Sequence, residues 1–227
     1  MVKGILFDFN GTLFYDSDKH IRAFQLFFER RGLEIPDAEY LATMTFGRTN
    51  EDIFRDIYKA DATDEELCRY GDEKEELYRS ACLEASESLH LAEGAYEMLD
   101  FLTSKNIPFC IATGSGIDNI NFYFEHLGLS RWFALDRIVY PDGIMRGKPA
   151  PDLYIEAAKR IGLGADECIV FEDGTSGILS ANAAGAAAVI AVCSPELESP
   201  VKDGAVVDGE VSNFKNYKDI LKKYRLI

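Results

Sequence analysis

Apolar and polar positions follow two periods along this chain. Short apolar runs alternate with stretches whose apolar residues recur every three or four positions, and this change of period separates strands from helices. Residues 2–8 read as a buried strand around Ile5-Leu6-Phe7. Residues 18–31 read as a helix with Ile21, Phe24 and Phe28 on one face and Gly32 as its stop. Asp37 is placed to cap a short helix through Met44, and residues 50–60 carry Ile53 and Ile57 at helical spacing. Thr63-Asp64-Glu65-Glu66 has the form of a capping box, opening a helix that runs to about Ser86. Beyond His90, helices are expected around Tyr96, Leu99 and Leu102, then over 119–127, 151–161, 177–184 and 217–224. Strands are expected over 108–113, 135–140, 168–171 and 186–192, with a short last one at 205–207.

Strands alternating with helices imply an α/β fold, a doubly wound parallel sheet of the Rossmann-like kind. The charged, helical stretch 16–88 lacks strand signals. It is expected to be a small helical cap inserted after the first strand, leaving 1–15 and 89–227 as the core domain. No internal repeat or low-complexity tract interrupts this scheme.

Composition narrows the partners. The 227 residues are 47% hydrophobic with a formal charge of -15, enough for a sizeable core and the wrong sign for nucleic acid or an anionic membrane. No apolar stretch is long enough to span a bilayer and the N-terminus lacks a signal-peptide pattern. The five cysteines, Cys68, Cys82, Cys110, Cys168 and Cys193, form no CxxC pair and are odd in number. They read as reduced, mostly buried thiols in a cytoplasmic protein, with Cys110 and Cys168 in the core. His20, His90 and His126 show no zinc spacing. A monomer is expected, since core and cap account for the amphipathic faces.

Four polar patches fall at the C-terminal ends of expected strands: Asp8-Phe9-Asn10, Thr113-Gly114-Ser115, Lys148 in Gly147-Lys148-Pro149, and Glu172-Asp173-Gly174. Each alone has an ordinary explanation as a helix cap, a turn, a solvated lysine or an acidic turn. In a doubly wound sheet, however, the carboxyl ends of the strands lie side by side, so the four patches would share one pocket.

In this order and spacing, the patches resemble the haloacid dehalogenase superfamily of phosphohydrolases. Within it, the chain resembles the branch with a small helical cap after the first strand, which includes β-phosphoglucomutase and phosphoglycolate phosphatase. The resemblance covers essentially the whole chain. It implies a magnesium-dependent phosphate-monoester hydrolase acting on a small phosphorylated metabolite. Asp8 matches the nucleophile that forms an aspartyl-phosphate. Asp8 and Asp173 match Mg2+ ligands, together with the main-chain carbonyl of Asn10. Glu172 is the neighbouring acid, which binds the metal, holds a metal-bound water or orients Lys148. Thr113 matches the hydroxyl that holds a phosphoryl oxygen, with the Gly114 N–H beside it. Lys148 matches the lysine that balances charge in the transition state. In the cap, Arg48 reads as an anion clamp or a surface ion pair, and His20 as a substrate contact or a hinge-packing residue.

Position 10 departs from the family, which usually has an aspartic acid there as general acid and base. An asparagine cannot exchange a proton near neutral pH, a loss of about 10²–10⁴-fold. The expectation is a slow hydrolase, one restricted to leaving groups that need no proton, or an impaired protein that binds phosphorylated ligands without turnover. A Rossmann nucleotide binder is disfavoured, because the first strand ends in an acid and not in a glycine-rich loop.

Overall fold

The central strand of the sheet is the first one in the chain. In a computed structural model, which describes residues 1–37, 40–41, 49–193 and 204–227, the strands are β1 (Gly4–Phe7), β2 (Phe109–Ala112), β3 (Ile138–Val139), β4 (Cys168–Glu172), β5 (Ala188–Val192) and β6 (Gly209–Val211). The longer helices are α1 (Ser17–Arg30), α2 (Asn50–Tyr58), α3 (Asp64–Glu84), α4 (Ala95–Ser104), α5 (Ile117–Leu127), α6 (Asp152–Arg160), α7 (Thr175–Ala183) and α8 (Tyr217–Lys223). The sheet order is β3-β2-β1-β4-β5-β6 and every neighbouring pair is parallel. β1, β4 and β5 are buried along their whole length, as strands covered on both faces must be.

Register sorts the side chains onto the two faces. Leu6 aligns with Cys110 and Val170, and Val170 with Val189. These residues join one apolar cluster with Leu153, Tyr154 and Ala157 of α6 and with Ile178 and Ala181 of α7. On the opposite face Phe7 aligns with Phe171, their rings stacked at 5.4 Å, and Phe214 packs against both.

The chain divides into two compact units, Met1–Tyr15 with His90–Ile227, and Asp16–Leu89. The second is helical. α1 buries Ala23, Phe24, Phe27 and Phe28, whereas Ile21 stays half-buried. Phe24, Phe27, Phe54 and Tyr70 form an aromatic cluster. Arg31 covers the Phe27 ring at 3.8 Å while bonding both carboxylate oxygens of Glu73. Thr63 and Glu66 close the capping box at the start of α3 through reciprocal bonds of 3.3 and 2.8 Å. Asp37 accepts the N–H of Tyr40 at 2.7 Å, as a cap would; residues 38, 39 and 42–44 of that expected helix lie outside the described residues.

Several element boundaries differ from the sequence reading, for identifiable reasons. Residues 135–137 form a 3₁₀ turn, and only Ile138 and Val139 pair as a strand. Residues 205–207 are not a strand. The N–H and C=O of Val206 bond the side chain of Asn182, and the ladder forms further on at Gly209–Val211. Pro151 is the N-cap of α6 and so precedes its first turn.

Of the five cysteines, Cys82, Cys110 and Cys168 are buried, and burial pushes each thiol up to about 12. Cys68 is exposed and Cys193 intermediate. A thiol reagent at pH 8 is therefore expected to label Cys68 first, Cys193 more slowly, and the buried three only after denaturation. Rapid labelling of all five in the native protein would contradict the packing described.

Candidate active site

The turn after β1 presents Asp8, and its shape is set by Gly11. The chain folds back so that Gly11 N–H bonds the Phe14 carbonyl and Phe14 N–H bonds that of Phe9. Gly11 has φ 77°, and a Cβ there would overlap the carboxyl group of Asp173. Only glycine meets both demands. The next residue, Thr12, donates its hydroxyl to Asp173 Oδ1 at 3.2 Å. The Asp8 N–H extends the β1–β4 ladder to the Phe171 carbonyl, so the carboxyl group leaves the sheet at its carboxyl end.

Lys148 reaches this point from the loop before α6. Its Nζ lies 2.5 Å from Asp8 Oδ1 and 2.5 Å from Glu172 Oε1. Burial alone would lower its pKa, but the two carboxylates outweigh that and raise it, so the ammonium persists across the physiological range. Glu172, 2% exposed, accepts donors on both of its oxygens. Oε1 also accepts the Tyr154 hydroxyl at 3.0 Å, and Oε2 accepts the Gly174 N–H at 2.9 Å. A Cβ on Gly177, in the first turns of α7, would collide with the same carboxyl group. Burial, then the charge of Glu172, raise Tyr154 well above the ordinary phenol range, which keeps it a donor.

Asp8, Glu172 and Asp173 each offer one carboxyl oxygen, and these atoms all lie within 4.8 Å of one another. Three carboxyl groups against one ammonium leave negative charge to be balanced, and hard oxygen donors at this spacing suit a divalent cation.

Thr113, 1% exposed, stands at the end of β2, where its Oγ1 accepts the Ser115 N–H at 3.1 Å. Gly114 beside it is exposed. The Asn10 side chain is engaged by Ser115 and Tyr123. The structure thus gathers Asp8, Asn10, Thr113, Lys148, Glu172 and Asp173 at one end of the sheet. His20 lies in the helical unit, stacked on Tyr78 at 4.1 Å, with Lys74 Nζ 2.7 Å from its Nδ1 and Asp16 3.3 Å from its Nε2. Arg48 lies outside the described residues.

Sequence reasoning gave no role to Thr12, Ser115, Tyr123 or Tyr154. For the two tyrosines the only signal was a phenol inside an otherwise apolar helical face, which needs a polar partner once buried.

Comparison with known proteins places the chain in a family. Residues 2–185 match the family description "haloacid dehalogenase-like hydrolase". The fructose-1-phosphate phosphatase YqaB of Escherichia coli is 31% identical over 188 residues, covering 82% of this chain and 94% of that one. Hexitol phosphatase A of the same organism is 31% identical over 195 residues, covering 85% and 84%. A crystal structure of a family IA, variant 3 hydrolase from Entamoeba histolytica superposes with a TM-score of 0.84 at 35% identity, covering 94% of each chain. The chain belongs to the haloacid dehalogenase-like hydrolase family, and among its members to the phosphoric monoester hydrolases. Among the described residues no helix is long and apolar enough to cross a membrane.

Proposed function

We propose that this protein hydrolyses the phosphate monoester of a small sugar or polyol, with Asp8 as nucleophile and Mg2+ as cofactor. The observation that carries the reading is Lys148 bridging Asp8 and Glu172 next to Asp173. The names of the two Escherichia coli relatives, a fructose-1-phosphate phosphatase and a hexitol phosphatase, support the substrate class. Asp8, Asp173 and the Asn10 carbonyl would hold the metal, which when bound neutralises phosphate charge and favours attack by a carboxylate.

This chain's own residues do the rest. Asp8 attacks phosphorus, forming an aspartyl-phosphate as the alkoxide departs. Lys148, already fixed by Glu172, stays beside the attacking oxygen and offsets charge on the transferring group. Glu172 spends its oxygens on Lys148, Tyr154 and Gly174, which favours the orienting role over direct metal ligation. The Thr113 hydroxyl and Gly114 N–H hold phosphoryl oxygens. Water then attacks the aspartyl-phosphate and releases phosphate. The helical unit has the place in the chain of the family's cap, and substrate selection is assigned to it.

Asn10 restricts this cycle. Its amide is neither acid nor base enough near neutral pH to protonate the leaving oxygen or deprotonate the attacking water. Turnover is therefore slow for sugar phosphates and faster for acyl and aryl phosphates, whose leaving groups are stable anions. The same residue favours one alternative, a protein that binds phosphorylated ligands without releasing product. Acetyl phosphate, p-nitrophenyl phosphate, hexose phosphates and hexitol phosphates, each assayed with magnesium and with a chelator, separate the two. Magnesium-dependent turnover with acetyl phosphate far ahead of the sugar phosphates is expected. Binding of hexitol phosphate by calorimetry, with no phosphate released from any substrate, would establish the alternative.

A further inference from the structure

Asn10 is held by two hydroxyl groups, and both belong to the α/β unit. Ser115 Oγ donates to Asn10 Oδ1 at 2.7 Å. Asn10 Nδ2 donates to the Tyr123 hydroxyl at 2.8 Å. The two hydroxyls are 3.4 Å apart, and Thr113 Oγ1 lies 3.5 Å from the same Asn10 oxygen. Neither hydroxyl is loosely placed. Tyr123, on α5, is 1% exposed. Its ring packs against Phe9 at 4.5 Å and against Phe14 and Phe122 at 6.0 Å each. Ser115 is tied through its N–H to Thr113.

The chemistry of this cradle is not specific to an amide. A hydroxyl donates one proton and accepts at its lone pairs. Ser115 donates to the oxygen of either an amide or a carboxylate. Tyr123 accepts from the amide, and by turning its O–H it would donate to a carboxylate of the same shape. Asparagine and aspartate therefore fit without movement of a heavy atom. What the cradle fixes is where the side chain of residue 10 points.

We propose that Ser115 and Tyr123 are positioning residues that aim the side chain at position 10 toward the leaving-group oxygen. They do so from the α/β unit alone, whichever of the two isosteric side chains stands there. This inference rests on the phosphatase reading.

The test measures kcat and KM for acetyl phosphate and for a hexose phosphate, with saturating magnesium. The proteins compared are the natural chain, N10D, and N10D combined with Y123F, S115A or S115T. N10D is expected to raise kcat/KM, which reports transfer to Asp8 and not hydrolysis of the shared aspartyl-phosphate, by about 10²-fold or more for the hexose phosphate and much less for acetyl phosphate, since only the hexose leaving group needs a proton in that step. Y123F and S115A in that background are expected to remove about tenfold or more of the hexose-phosphate gain in kcat/KM, leaving kcat/KM for acetyl phosphate nearly unchanged. S115T, which keeps the hydroxyl, is expected to retain the gain. Equal losses on both substrates, or a hexose-to-acetyl ratio untouched by Y123F and S115A, would overturn the cradle and leave the phosphatase reading standing. So would an N10D protein with no gain on the hexose phosphate. Absence of turnover of either substrate by every variant would overturn both.

Discussion

Asp8→Asn is expected to lower acetyl phosphate turnover by at least about 10⁴-fold, the scale seen when a covalent nucleophile is removed. The change is isosteric. Lys148, 2.5 Å from Asp8 Oδ1, can still donate to an amide oxygen there, so the site keeps its shape while losing the attacking carboxylate. Acid-quenched reactions should also lose the protein-bound, hydroxylamine-sensitive phosphate that an aspartyl-phosphate leaves behind. Running the comparison in the N10D background raises the signal and tests the same step. Undiminished turnover in Asp8→Asn would show that another group attacks phosphorus.

Lys148→Met is expected to reduce turnover by about 10²–10³-fold and also to destabilise the magnesium-free protein. The methionine fills most of the lysine's volume but leaves Asp8 and Glu172, which are 6% and 2% exposed, without the ammonium between them. Removing one member of a buried ion pair costs about 3–5 kcal/mol, because the remaining charges stay buried. A melt in chelator should show that loss, and added magnesium should recover part of it by binding the folded form. The pH dependence is set by the raised Lys148 pKa. The stabilisation is fully present below the ordinary lysine value of about 10.5 and disappears only as pH rises through the higher folded value. The gap between natural and variant proteins should therefore be flat from pH 6 to 9. Equal melting temperatures in chelator would show that the bridge contributes no net stability.

Much of this arrangement is legible in the sequence because a parallel sheet imposes strong local signals. β1, β4 and β5 are buried on both faces, so they appear as unbroken apolar runs, and the polar residues just past each run stand at the carboxyl end of the sheet. Asp8 and Asp173 are found that way. β6 is missed for the same reason in reverse: Gly-Glu-Val at a half-exposed edge has no apolar run, whereas in the more apolar stretch 205–207 Val206 spends both backbone bonds on Asn182. The residues that hold the site are harder to see than the residues that form it. Tyr154 and Tyr123 sit on helices whose spacing only calls for an apolar side chain, and their hydroxyls find Glu172 and Asn10 through packing between elements far apart in the chain. Thr12 supports Asp173 across 161 positions of sequence, a distance at which no local pattern speaks.

The position of β1 in the middle of the sheet has a consequence for biosynthesis. It is synthesised before both of its partners, which begin at Phe109 and Cys168. An apolar segment must therefore wait, without its hydrogen-bonding neighbours, while the intervening chain is made. The helical unit is one continuous stretch, Asp16–Leu89, so all of it is made before either partner strand and can fold during that interval. Nascent chains halted between residues 90 and 168 should accordingly contain ordered helices beside an adhesive N-terminus, the state in which this protein most needs a chaperone.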